Sequence, residues 1–284
     1  MRSCAMTMLL VLGCSTGAED SSVPDDSGDS GAFDTSDSGG GDTADTADTG
    51  DVVLPGDLRL AIPAYAYPGT DAWSGFVAGA AATGGFIVMN PASGPGSVID
   101  EAYVSAVAEA QAQGVIVLGY VPTGYGLREA DEVDGDVNQY AFWYGVDGIF
   151  FDEVAEDCPA FAPWYAERAE AANVLDADGD AFLAYNPGVI TCADYLEAAD
   201  VLVVAEDQLG YLHDFEAADW MAAYDPGRFW LLAHDTGASV LGDTLQWVRD
   251  NGIGWVYLTN DRMPNPWDAL PSYWDDEVAA VSAD

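Results

Sequence analysis

Three carboxylates stand out by type and spacing. Asp152 and Glu153 close the apolar run Gly148-Ile149-Phe150-Phe151, and Glu206 closes the run Val201 to Ala205. Two carboxyl groups held near each other, one ionised and one protonated, are the groups that acetal hydrolysis needs. A separation of roughly 5–9 Å spans the retaining and inverting glycosidase geometries. In this reading Glu206 is the general acid/base and Asp152 the nucleophile or base, with Glu153 orienting the pair. The order of roles is open to reversal. Neighbouring residues on a strand face opposite sides, so Asp152 and Glu153 reach one site only if the pleat relaxes at the strand end.

Other residues fit the same chemistry. Tyr65, Asn90, Tyr120, Asn186, Asp235 and Asn260 each end an apolar run, and Tyr125 and His234 lie beside such ends. Together they make a set of substrate contacts for a molecule rich in hydroxyl groups. Tyr67, Trp164 and Trp267 add flat apolar faces of the kind on which pyranose rings stack. Competing chemistries are poorly supplied. There is no GxSxG elbow for a serine nucleophile. The two histidines, His213 and His234, have no metal-ligand spacing, so no metal is expected. No GxGxxG turn follows the first apolar run, so no nucleotide cofactor is expected. The segment Asp176 to Asp180 departs from a calcium loop in its glycine position and lacks the closing glutamate, and it reads as an acidic turn.

These residues need a frame. Apolar runs too continuous for half-exposed strands recur at 58–65, 84–90, 114–121, 148–153, 181–186, 201–206, 229–235 and 254–261. Such runs mark strands buried on both faces. Ala-rich or amphipathic segments separate them, the clearest from Ile99 to Gln113 before Gly114. Eight strands alternating with helices over residues 57–284 predict a single α/β domain, a (β/α)8 barrel of the TIM type. A doubly wound sheet is the runner-up. In the barrel, strand C-terminal ends surround the active site, which is where the polar residues above fall.

The ends and the charge set the context. Arg2 precedes the short apolar run Ala5 to Leu12, which ends in Val11-Leu12-Gly13-Cys14, similar to a bacterial lipobox. Residues 1–13 are expected to be a lipoprotein-type signal peptide and Cys14 the lipidated residue. An ordinary secretory signal is the alternative. Residues 14–56 read as an acidic Asp/Ser/Thr/Gly tether, with eleven acidic and no basic residues over 19–51. The protein is therefore expected outside the cytoplasm, touching membrane only through an N-terminal lipid. With 49 acidic side chains, seven arginines and no lysine, the net charge is −42. That excludes nucleic acid as a partner, because phosphate is bound by clustered cations. A polysaccharide, including a cationic one, is the expected partner of a monomer. Cys158 and Cys192 form a candidate disulfide, which would contribute about 3–4 kcal/mol in the chain-entropy account.

Taken in order, IPAYAYP (62–68), MNPASGPG (89–96), GVIVLGYVPTGYG (114–126), VDGIFFDE (146–153), YNPG (185–188) and AED (205–207) make the sequence resemble the spherulin-4-like (spherulation-specific) family over residues 60–280. The resemblance implies a (β/α)8 barrel and a kinship with fungal glycoside hydrolases that cut galactosaminogalactan, a partly de-acetylated polymer of galactose and N-acetylgalactosamine. It implies that the functional acids fall on Asp152, Glu153 and Glu206. The activity it implies is endo-N-acetylgalactosaminidase-like. The alternative is a non-catalytic carbohydrate-binding or cell-surface structural protein on the same barrel. The acidic tether and bacterial signal depart from the fungal pattern, and the last two strands carry few of the shared motifs.

Overall fold

A computed structural model describes residues 58–176, 179 and 181–282 of the chain. The signal segment, Cys14, the tether and most of the acidic turn at 176–180 lie outside the described residues. Eight parallel strands close into a barrel in sequence order. They are β1 (Arg59–Ala64), β2 (Phe86–Met89), β3 (Ile116–Pro122), β4 (Gly148–Asp152), β5 (Phe182–Tyr185), β6 (Val201–Gln208), β7 (Phe229–His234) and β8 (Trp255–Leu258). Closure is made by Arg59 and Leu60 of β1 pairing with Trp255 and Val256 of β8. The expected barrel is the observed one.

Helices α1 (Asp71–Thr83), α2 (Glu101–Gln111), α3 (Ala130–Gln139) and α4 (Cys158–Ala172) follow the first four strands. Helices α5 (Leu241–Asp250) and α6 (Trp274–Val281) follow β7 and β8. The even alternation breaks in between. After β5 and β6 the connections are short 3-10 turns, Ala193–Glu197, Leu209–Asp214 and Asp219–Ala223, rather than α-helices. Prolines, glycines and isolated acids there leave no apolar stripe long enough to dock a helix. The bond between Cys158 and Cys192 ties the start of α4 to the segment after β5, where helix packing is thinnest.

Aromatic rings fill the bore. Phe86 of β2 meets Phe182 of β5 at 5.4 Å and Trp230 of β7 at 5.0 Å, and Phe150 of β4 meets Trp230 at 5.4 Å. These strands are not neighbours, so the rings meet across the barrel interior. Strand alternation then fixes what points inward above them. Phe150 is inward, hence so is Asp152. Phe182 is inward, hence so are Ala184 and Asn186. Phe151 points the other way, onto Tyr185 at 5.6 Å in the layer under α4. Aromatic rings plug the bore beneath the polar C-terminal mouth.

One further buried acid is bonded to the end of β8. Glu277 of α6 is fully buried and its Oε1 accepts a hydrogen bond from the Leu258 amide at 2.9 Å. Burial pushes its carboxyl up to about 8. The folded protein thus keeps a proton that the unfolded chain has already lost at neutral pH. Glu277 therefore lowers stability as pH rises from the ordinary carboxylate range towards 8. Urea unfolding of wild type at pH 5 and pH 8 is expected to show a larger loss than Glu277→Gln, by about 2–4 kcal/mol. An equal loss in both proteins would remove Glu277 as the cause.

Candidate active site

The site forms where β3 to β6 end. Asp152 is the last residue of β4, and Thr123 buttresses the turn that follows it. The buried Thr123 hydroxyl reaches the carbonyls of Asp152 at 2.9 Å and Glu153 at 2.6 Å, and lies 2.8 Å from the Tyr165 hydroxyl. Glu153 sits in the left-handed region with φ 53°, which takes it out of the strand's alternation. Its carboxylate accepts the Gly124 amide at 3.2 Å, and its carbonyl accepts the Tyr125 amide at 2.6 Å.

Glu206 is aimed by an irregularity in β6. Val203 pairs with Trp230 and Ala205 with Leu231, so Val204 is an extra residue, a β-bulge. Paired residues on parallel strands share a face, and Trp230 is inward. Regular alternation from Val203 would turn Ala205 inward and Glu206 outward. The bulge shifts the pattern by one, so Glu206, paired with the inward Leu232, faces the mouth.

Asn186 joins the two acids. Its Nδ2 donates to Asp152 Oδ1 at 2.7 Å and to Glu206 Oε2 at 2.6 Å. The amide orientation is set by Gly188, whose backbone N–H donates to Asn186 Oδ1 at 2.9 Å. Sharing one planar NH2 group holds the two acceptor oxygens about 5 Å apart. Asn186 follows β5, which stands between the strands that carry the two acids, and it sits one residue beyond the regular strand. Asp152 is further bonded by the Tyr120 hydroxyl, which donates to Oδ2 at 2.7 Å.

The two acids are unequal. Burial raises Asp152 above the ordinary carboxylate value, opposed by hydrogen bonds from Tyr120, the backbone at Glu153 and Asn186. Burial and the nearby Asp152 charge push Glu206 up to about 7, with Asn186 and Trp267 opposing. More donors serve the charged form of Asp152, so Asp152 ionises first and Glu206 keeps its proton towards neutrality.

The remaining predicted residues divide. Tyr65 stands edge-on to Tyr120 at 5.8 Å and lines a cavity of about 510 Å³ together with Asn90, Ser93, Met263, Trp267 and Glu206. Asn90 Oδ1 also accepts the Gly94 amide at 3.0 Å, which shapes the loop after β2. Tyr125 is 57% exposed on the rim with φ 59°. His234 ends β7 with its ring 6.2 Å from Trp267, and its Nδ1 is buried without a partner among the described residues. Asp235 pairs with Arg262 at 2.6 Å, and Asn260 Oδ1 accepts the Ser272 amide at 2.7 Å, so both hold loops. Asn186 and Tyr120, expected as substrate contacts, direct the amide NH2 and the phenol hydroxyl to the carboxylates. Trp164 lies within α4 against Arg168 rather than at the mouth. Met263 carries no sequence signal for this site, whereas Ser93 and Thr123 lie inside the shared motifs 89–96 and 114–126 without a residue type that marks them individually.

Fold and site together define a class: a (β/α)8 barrel with a half-buried, hydrogen-bonded carboxylate pair at its C-terminal mouth. The spherulation-specific family 4 (Spherulin4) profile matches residues 59–281. Spherulin-4 of Physarum polycephalum is 32% identical over 240 residues, covering 80% of this chain and 70% of that protein. The chain belongs to the spherulation-specific family 4. Among solved structures, Aspergillus clavatus Sph3 in complex with GalNAc superposes with TM-score 0.68 at 24% identity, over 80% of this chain and 98% of that one. The maltogenic α-amylase AmyB of Thermotoga neapolitana superposes with TM-score 0.50 at 11% identity, over 81% of this chain and 76% of that one. Both likenesses are of fold.

Replacing Asn186 by Leu removes a donor from both carboxylates. The Glu206 titration, followed by carbon NMR of labelled side-chain carboxyls, is expected to move upward from about 7, by roughly one unit. An unmoved midpoint would show that the shared amide does not set the pair.

Proposed function

We propose that the protein is a retaining glycoside hydrolase that cuts within a polysaccharide containing galactosamine or N-acetylgalactosamine. One observation carries the reading. Two half-buried carboxyl groups of unequal acidity share the NH2 group of one amide, which brings their nearer oxygens to about 5 Å, close to the spacing of retaining enzymes. Asp152, ionised and steadied by Tyr120 and Asn186, attacks the anomeric carbon. Glu206, protonated near neutrality, donates to the leaving oxygen and then activates the water that releases the glycosyl group. Glu153, anchored to the Gly124 amide, lies beside Asp152 and tunes its charge.

The substrate class is supported by kinship. The N-acetylgalactosamine bound to Aspergillus clavatus Sph3 favours an amino-sugar polymer. The exposed rings of Tyr67 and Tyr125 at the mouth give such a chain apolar faces to lie on. Export through the N-terminal signal, with Cys14 as lipid anchor, would hold the enzyme at the cell surface, where polymers are met.

The test is release of reducing ends from galactosaminogalactan. Asp152→Asn and Glu206→Gln are each expected to lower kcat by on the order of 10³-fold or more, with unchanged circular dichroism. Wild-type rates in both variants would refute the assignment. The kcat/KM profile is expected to be bell-shaped. It falls on the acid side as Asp152 takes up a proton, and on the alkaline side near 7 as Glu206 loses one. A rate still rising above pH 8 would reverse the assigned roles. Polymer bound but never cut would make the barrel a binding protein.

A further inference from the structure

Glu206 has a second donor besides Asn186. The segment between β8 and α6 brings the Trp267 side chain to the same carboxyl as a hydrogen-bond donor. Pro264 and Pro266, on either side of Asn265, lack backbone donors, so this stretch builds no helix and is held by its neighbours. Its start is fixed where the Asp235 amide donates to the Asp261 carbonyl at 2.9 Å and Arg262 pairs with Asp235. Its end is fixed where the Ser272 amide donates to Asn260 Oδ1. Trp267 itself is pinned through both backbone groups. Its amide donates to Asn265 Oδ1 at 3.3 Å, and its carbonyl accepts the Tyr65 amide at 3.1 Å. The residue is only 7% exposed, with its ring 5.8 Å from Tyr257 and 6.2 Å from His234. A ring covered to this extent offers little face to a sugar. It shares the wall of the cavity of about 510 Å³ with Glu206, and its polar handle is the indole N–H.

We propose that Trp267 is a positioning residue for Glu206, its indole N–H steadying that carboxyl each time it gives up its proton. This rests on the glycosidase reading. In the first step Asp152 bonds to the anomeric carbon, the glycosidic bond breaks, and the Glu206 proton goes to the leaving oxygen. In the second step the oxygen of a water replaces Asp152 on that carbon, and a proton of the water returns to Glu206. Glu206 is therefore ionised between the two steps. An indole N–H donates and never accepts, so it favours that ionised form alone. Asn186 serves both acids at once, and its loss disturbs the pair. Loss of the Trp267 N–H acts on Glu206. The other ionisable groups facing Glu206 are Asp152 of β4, Asp207 of β6, Tyr65 after β1, Tyr120 of β3 and Tyr125 on the rim. His234 of β7 lies against the Trp267 ring. Burial raises all three phenols above their ordinary value, so they stay neutral while Glu206 titrates.

The test uses the full chain with Trp267→Phe, which keeps a ring in place and removes the N–H. The Glu206 carboxyl is followed by carbon NMR, resolved from Asp152, Asp207 and the His234 imidazole. Its midpoint, about 7 in wild type, is expected to rise by roughly half a pH unit. The alkaline limb of kcat/KM on galactosaminogalactan should move up by the same amount, with KM little changed. In wild type, the Trp267 indole nitrogen signal is expected to shift as Glu206 titrates, and Glu206→Gln should abolish that step. This second measurement needs no change at Trp267, so it decides the matter if Trp267→Phe does not fold. A Glu206 midpoint unmoved in Trp267→Phe, or an indole signal that ignores Glu206, would overturn the proposal whatever the loss of rate. If both titrations behave as expected while wild type releases no reducing ends, Trp267 keeps its place beside Glu206 and the hydrolase reading falls.

Discussion

The site depends on one amide group placed between two carboxylates. In water, an asparagine contributes little to the acidity of a neighbour. In a bore plugged by Phe86, Phe150 and Trp230, it is one of few donors available to either acid. Two like charges held this close in a half-buried site cannot both persist without help, so one carboxyl holds a proton. Asn186 sets their spacing and, with Tyr120 on one side only, makes their inequality definite. Gly188 keeps the amide from flipping, which would turn a carbonyl towards two anions.

Much of the rest of the molecule serves that geometry. The β6 bulge turns Glu206 inward, where regular pleating would point it at the outer layer. Thr123 holds the backbone of Asp152 and Glu153 through their carbonyls. The disulfide fastens the segment after β5, where no α-helix stands behind the sheet. The aromatic bore excludes water from beneath the acids, which is the main cause of their raised pKa values.

The sequence carried the barrel clearly, because strands buried on both faces are written as continuous apolar runs. All eight runs overlap observed strands. The missing helices after β5 and β6 were less legible, since a barrel connection needs only to cover the sheet. Asp152 and Glu206 could be picked out because acids at the end of apolar strands are costly without a use. The partnership of Asn186 could not be read, because it depends on how three strands end in space. Nor could the bulge at Val204, for a valine inserted in Val-Leu-Val-Val-Ala leaves no mark on the pattern. Trp267 could be read as an aromatic face but not as a donor to Glu206, because that contact forms only when the segment after β8 packs on the end of β1.

Spacing, acidity and catalytic role are linked by one consequence, the stereochemistry of the product. Proton NMR of the first reducing ends released, recorded before mutarotation, reports it directly. With Asp152 as nucleophile and Glu206 across the shared Asn186 amide, the new end keeps the configuration of the bond that was cut. Release with inverted configuration would mean that water attacks from the side assigned to Asp152, and would contradict the account.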